Sequence, residues 1–213
     1  MTLPKKGANA RKRIVSIEEY LKLLDSATSH FRPVLIVAYH TGMRSGELQK
    51  LQWNHIDRKE MFIRLPAGVT KETREKNIPI NHYVKSVLDA LPRAVNNNYV
   101  FTNEGRHFST KNRFANYFKG ACKKAGLLYG RNVPNGMTLH DIRGTVKTNM
   151  LSAGMDKIYR DLILGHSLTG MDVYYLAPTE DTLRKEMERF TRWFDERLAE
   201  TSQMLTKPLT VMA

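Results

Sequence analysis

From Ile14 onward, apolar positions recur mostly at helical spacing. Ser16 and Glu19 form a capping box ahead of "IEEYLKLLDSA", and "FRPVLIVAYHTG" is a strongly apolar run that Gly42 can close. Both are expected to be core helices. "SGELQKLQW" predicts a third, short helix with Ser45 as its cap. The period then changes. "MFIRL" and "KNIPI" are short β-prone runs separated by "PAGVTKETRE", which predicts a hairpin or three-stranded antiparallel ribbon near residues 56–80 with a polar, mobile tip. From Asn81 the helical period resumes in "HYVKSVLDAL", "STKNRFANYFKGACKKAGL", "TLHDIRGTVKTNMLSAG" and "DKIYRDLILG". A last long helix, about residues 181 to 203, sets Leu183, Met187, Phe190, Phe194 and Leu198 on one apolar stripe. The pattern implies one mixed α+β domain, mostly helical, without internal repeats.

Charge narrows the possible partners. The 213 residues carry 34 Lys and Arg against 21 Asp and Glu, a formal charge of +13, the footprint of a chain that meets a polyanion. Nucleic acid leads, because the basic residues are spread along the whole length rather than gathered on one amphipathic helix as an anionic membrane would favour. Cys122 is the single cysteine, expected to be a small buried apolar group in a reducing compartment. No run reaches the roughly 18 apolar residues of a membrane span, and "MTLPKKGANARKR" lacks the apolar centre of a signal peptide, so a cytoplasmic, DNA-associated protein is expected.

Several residues suit chemistry at a phosphate. His140 and Arg143 lie three apart on a predicted helix, hence on one face. "HTGMRSGELQKLQWNHID" places Arg44 where an apolar helix meets the next one, and its plainer reading is a surface partner of Glu47. Lys71 sits on the ribbon's tip in "TKETREKNIPI", and "LGHSLTGMDVYY" joins His166 to Tyr174 and Tyr175. Singly, each is an ordinary feature of a soluble protein. Their order along the chain is more specific.

Taken together these residues resemble the tyrosine recombinase family, which includes the phage integrases. The resemblance runs over about residues 13 to 178: Arg44 in "TGMRSGEL", Lys71 in the hairpin before "NIPI", His140 and Arg143 in "LHDIRG", His166 in "LGHS", and Tyr175 nine residues after that histidine. Spacing favours Tyr175 over Tyr174. Lys71, immediately after Thr70, is preferred to Lys76, and Arg74 between them holds its proton too tightly to act as an acid. The resemblance implies site-specific breakage and rejoining of double-stranded DNA through a 3′-phosphotyrosyl link, without metal, ATP or other cofactor. Tyr175 would be the nucleophile, Arg44 and Arg143 would bind the non-bridging oxygens, and His166 would donate to the same phosphate. His140 would be the base towards the tyrosine, Lys71 the acid that protonates the leaving 5′-oxygen, and Glu47 an orienting group.

The resemblance also implies an organisation. Residues 1–13 would be a basic linker or arm, 14–178 the catalytic domain, and 179–213 a C-terminal helix and tail that docks on a neighbouring protomer or on its own core. Family members carry a small helical domain that closes the other side of a clamp around DNA. The chain begins almost at the catalytic domain, so it is expected to be a catalytic piece of a longer phage or mobile-element protein. That protein would assemble as a tetramer on paired sites, with DNA-bending accessory proteins. Two other classes fit some of the same residues: a type IB topoisomerase, which relaxes supercoils through the same tyrosine chemistry, and a DNA-binding module without catalysis.

Overall fold

Ser16 starts the first helix in the expected way. In α1 (Ile17–Ser26) its hydroxyl accepts the Glu19 amide at 3.2 Å while the Glu19 carboxylate takes the Ser16 amide at 3.0 Å. The computed structural model describes residues 13–71, 73–108, 113–166 and 179–206. α2 (Arg32–Thr41) ends at Gly42, whose φ of 64° is the left-handed cap and whose N–H returns to the Ala38 carbonyl at 2.9 Å. α3 (Ser45–Gln49) corrects the expected cap. Arg44, not Ser45, is the N-cap, and its backbone N–H is taken by the Glu47 side chain at 3.0 Å.

The period-2 runs form the expected antiparallel sheet in the order β1 (Ile56–Asp57), β2 (Phe62–Leu65), β3 (Lys76–Pro79). Ile63 faces Ile78 and Leu65 faces Lys76 across β2 and β3, so the lysine begins the strand on the side of the buried register. Between these strands Thr70 ties the tip together: its hydroxyl donates to the Arg74 carbonyl at 2.7 Å and accepts the Arg74 amide at 3.2 Å. After α4 (His82–Ala90) comes a short hairpin that periodicity did not announce, β4 (Thr102–Asn103) with β5 (Arg106–His107). The remaining helices are α5 (Arg113–Lys124), α6 (Leu139–Ser152), α7 (Lys157–Leu164) and α8 (Glu180–Thr206). The architecture is mostly helical with a small antiparallel sheet, as the sequence led us to expect.

Packing places α2 at the centre. It lies against α1, α4 and α6, while α7 and α8 pack against β3. Tyr20 stacks on Tyr39 with ring centroids 3.9 Å apart, Phe194 of α8 stands edge-on to both, and His40 stacks on Tyr83 at 4.1 Å. On α8, Leu183, Met187, Phe190 and Phe194 are buried and Leu198 packs against the core. Arg64 bonds Asp57 at 2.9 Å and pairs with Glu180, which fastens α8 to the sheet. Cys122 is buried and unpaired, the small core group expected. No helix among the described residues is long and apolar enough to cross a membrane.

Candidate active site

Two helix ends converge on one buried guanidinium. Arg143, near the start of α6, is 7% exposed. It donates from Nη1 to the Gly42 carbonyl at 2.7 Å and from Nη2 to the Leu164 carbonyl at 2.6 Å. Those carbonyls close α2 and α7, where the helix dipoles place partial negative charge, so a cation is favoured between them. Gly42 makes the approach possible: a Cβ there would lie 2.4 Å from Leu164 Cδ2. The other side of Nη2 meets His166 Nε2 at 3.1 Å.

His166 owes its position to the end of α7. Gly165 has φ 72° and returns its N–H to the Leu162 carbonyl at 2.9 Å, while the His166 N–H reaches the Asp161 carbonyl at 2.7 Å. This Schellman motif folds the residue after the glycine back over the one five before it. The His166 ring therefore meets the Asp161 carboxylate, with Nδ1 3.1 Å from Oδ1.

A second cluster is centred on Glu47, which is 2% exposed. Its carboxylate accepts Arg44 Nη1 at 2.9 Å on Oε1, and on Oε2 both the Arg44 amide at 3.0 Å and Lys76 Nζ at 2.9 Å. Burial alone would raise its pKa, but these donors, Lys76 foremost, hold it below the ordinary carboxylate range. Burial pulls Lys76 below a free lysine, Glu47 opposes that, and the charges of Arg143 and Arg44 add to it. The Lys76 stem also packs on Gly165, where a Cβ would come 3.0 Å from its Cδ, so the Glu47 cluster and the Arg143 cluster share a wall.

His140 lies on the first turn of α6. The neighbouring Asp141 is buried, and its carboxylate takes the Thr138 amide at 2.7 Å, which fixes the first turn of α6 and the histidine on it. Partial burial and then the charge of Arg143 depress the His140 pKa, with Arg44 and Arg131 contributing in the same direction. His166 is lowered by burial and by Arg143 and Lys147, and the Asp161 hydrogen bond opposes the shift. Both shifts favour the neutral ring.

Arg44, His140, Arg143 and His166 are brought close together. Lys71 is not fixed there: it is exposed on the ribbon tip, and the lysine held inside the cluster is Lys76. Tyr174 and Tyr175 lie outside the described residues. Sequence reasoning missed Asp161, whose signal was available in its place five residues ahead of His166 in "DLILGH". It also missed the buried role of Lys76, which no local pattern announces.

Similarities to known proteins agree with this arrangement. Residues 10–181 match the Phage integrase family. Tyrosine recombinase XerD of Listeria innocua is 24% identical over 200 residues, 87% of this chain and 64% of that protein. The chain therefore spans less than two thirds of that relative. Among solved structures, the integrase from mycobacterium phage Brujita superposes with a TM-score of 0.66 at 21% identity, covering 89% of this chain and 60% of that one. A lambda integrase dimer bound to a COC' core site gives 0.60 at 20% identity, covering 82% and 53%. These likenesses establish the fold. With four fifths of its length matched, and with the arginines and histidines of the family's motifs gathered in one patch, this chain belongs to the phage integrase family.

Proposed function

We propose that the chain is the catalytic portion of a site-specific DNA recombinase that breaks and rejoins strands through a 3′-phosphotyrosyl intermediate, without metal or ATP. The observation that carries this reading is the convergence of Arg44, Arg143, His140 and His166 around a site walled by the Glu47–Lys76 pair. Two guanidiniums suit the non-bridging oxygens of a phosphodiester, whose extra charge at the pentacoordinate stage they offset as a metal ion would. Arg143 is oriented by backbone carbonyls and Arg44 by Glu47, so neither must be ordered at the moment of reaction. A neutral His140 suits the general base towards the hydroxyl of Tyr175.

In this reading Lys71 is the acid that protonates the leaving 5′-oxygen, reaching it as the ribbon tip closes on bound DNA. Lys76 holds Glu47 in place. The phosphotyrosyl link conserves the bond energy, and attack by the 5′-hydroxyl of a second strand completes the exchange. Double-stranded DNA is the substrate, and the protein acts as an assembly on paired sites. The DNA-bound dimer of lambda integrase, similar in fold, supports that arrangement.

The test is cleavage of nicked duplexes carrying the candidate attachment site, with a chelator present throughout. The wild-type chain should form a covalent complex in chelator. Tyr175→Phe should lose it while still binding DNA, and Tyr174→Phe should keep it. A requirement for magnesium, or cleavage by Tyr175→Phe, would overturn the proposal.

A further inference from the structure

His166 has two faces, and their partners fix its protonation. Arg143 Nη2 can only donate, so Nε2 at 3.1 Å accepts. Asp161 Oδ1 is an acceptor and lies 3.1 Å from Nδ1, so that nitrogen carries the hydrogen. Lys147 Nζ is also 3.5 Å from Nδ1, but it has Asp161 Oδ1 at 3.7 Å to donate to, which leaves the assignment intact. Free in solution, the ring is therefore the neutral Nδ1–H tautomer. Its Nε2 lone pair is taken by Arg143 Nη2, the guanidinium expected at the phosphate.

This resting state cannot do what the site requires of it. The ring can donate to a phosphate oxygen only with a hydrogen on Nε2, and that hydrogen would face the Arg143 donor at 3.1 Å unless Nε2 turns from it to the phosphate. Moving the Nδ1 hydrogen across would leave a bare nitrogen against the Asp161 carboxylate. We propose that Asp161 is a positioning residue for the reaction: it keeps hydrogen on Nδ1, so that His166 takes up one proton from solvent when a phosphate binds and donates from Nε2 as an imidazolium. No bond other than N–H forms in this step, and the carboxylate and phosphate flank the new charge. The proposal rests on the reading of His166 as a phosphate donor and adds the group behind it.

The surroundings fit that division of work. Asp161 is only 8% exposed at its side chain and also receives Lys157 Nζ on Oδ2 at 2.8 Å, so it is held as a carboxylate on both oxygens. The cations facing the ring are Arg143 and Lys147 from α6. Lys157 of α7 reaches it through Asp161, and Lys76 of β3 lies beyond Gly165 with its charge paired to Glu47. Arg143 and Lys147 oppose protonation of the ring. Asp161 is the carboxylate bonded to the ring, and a bound phosphate adds the negative charge that completes the balance.

The experiment is NMR of the ¹⁵N-labelled chain, following the His166 ring through a pH titration with and without a duplex oligonucleotide. It is paired with pH profiles of cleavage for wild type, Asp161→Asn, Asp161→Glu and His166→Ala. The wild-type ring should be the Nδ1–H tautomer and become doubly protonated on DNA at a pH where it is neutral alone. Asp161→Asn should lower its midpoint by about one pH unit or more, and move the alkaline limb of cleavage to lower pH by a similar amount. Asp161→Glu should restore part of the shift. An Nε2–H tautomer in the wild type, or identical ring titrations in wild type and Asp161→Asn, would overturn the role of Asp161. Undiminished cleavage by His166→Ala would instead overturn the reading of His166 itself.

Discussion

At the residue scale the site depends on how Arg143 is held. Replacing it by alanine leaves the Gly42 and Leu164 carbonyls without their donor and removes one of the two guanidiniums expected at the phosphate. Cleavage should slow by roughly a hundredfold or more, a barrier of about 3 kcal/mol, by analogy with removing one preorganised oxyanion donor. Arg143→Lys should recover little. An ammonium keeps the charge but cannot bridge two carbonyls and a phosphate with one planar fork. Rates for the two variants in the same cleavage assay decide this, and a near-wild-type Arg143→Ala would remove Arg143 from the mechanism. Arg44, His140, Arg143 and His166 were legible through the family's order of motifs, since singly each reads as an ordinary feature of a soluble protein. Lys76 was not. Its burial depends on Glu47, 29 residues away in sequence, and on the approach of α7, and neither shows in the local pattern.

At the element scale, the ends of helices matter more than their middles. Gly42 needs a left-handed φ and an empty Cβ position, since its carbonyl must reach Arg143 while Leu164 packs above it. Gly42→Ala should destabilise the fold by at least about 1–2 kcal/mol from backbone strain alone. Overpacking against Leu164 adds to that. Chemical denaturation measures the loss, and an unchanged midpoint would contradict the close approach. The α2–α4–α8 packing makes a pH prediction. His40 is buried against Tyr83 and Phe194, and burial lowers its pKa to about 3 from an ordinary 6.5. The unfolded chain then binds the proton first, so stability from this residue is full above about pH 6.5 and falls as pH drops towards 3. The loss is about 2 kcal/mol by pH 5. Denaturation midpoints at pH 7 and pH 5, compared between wild type and His40→Gln, isolate it: the variant should lose less. Long amphipathic helices and the β2–β3 ribbon were legible from period alone. The β4–β5 hairpin was not, because two-residue strands carry no period. The α3 cap was misassigned because the Glu47 side chain, rather than the Ser45 hydroxyl, supplies the acceptor.

For the whole molecule, the +13 charge is the property that chemistry at one phosphate does not require. If it serves DNA, the logarithm of the binding constant should fall by about 0.9 per decade of salt for each phosphate neutralised. Titrations against cognate and scrambled duplexes at several salt concentrations should show that steep dependence, with little discrimination between sequences by this chain. Salt-independent binding would remove the electrostatic account. The central claim is narrower: one tyrosine, Tyr175, becomes joined to a DNA 3′-phosphate at the patch built by Arg44, His140, Arg143 and His166. Its most direct test is to trap the covalent complex on a nicked duplex, digest with nuclease and trypsin, and sequence the adducted peptide by mass spectrometry. Trypsin should release residues 161–184 with both Tyr174 and Tyr175 inside, so fragment ions separate the two. The account predicts phosphonucleotide on Tyr175 alone and a free 5′-hydroxyl on the released strand. An adduct on Tyr174 or on a residue outside this peptide, or a 5′-phosphate on the released strand, would contradict it.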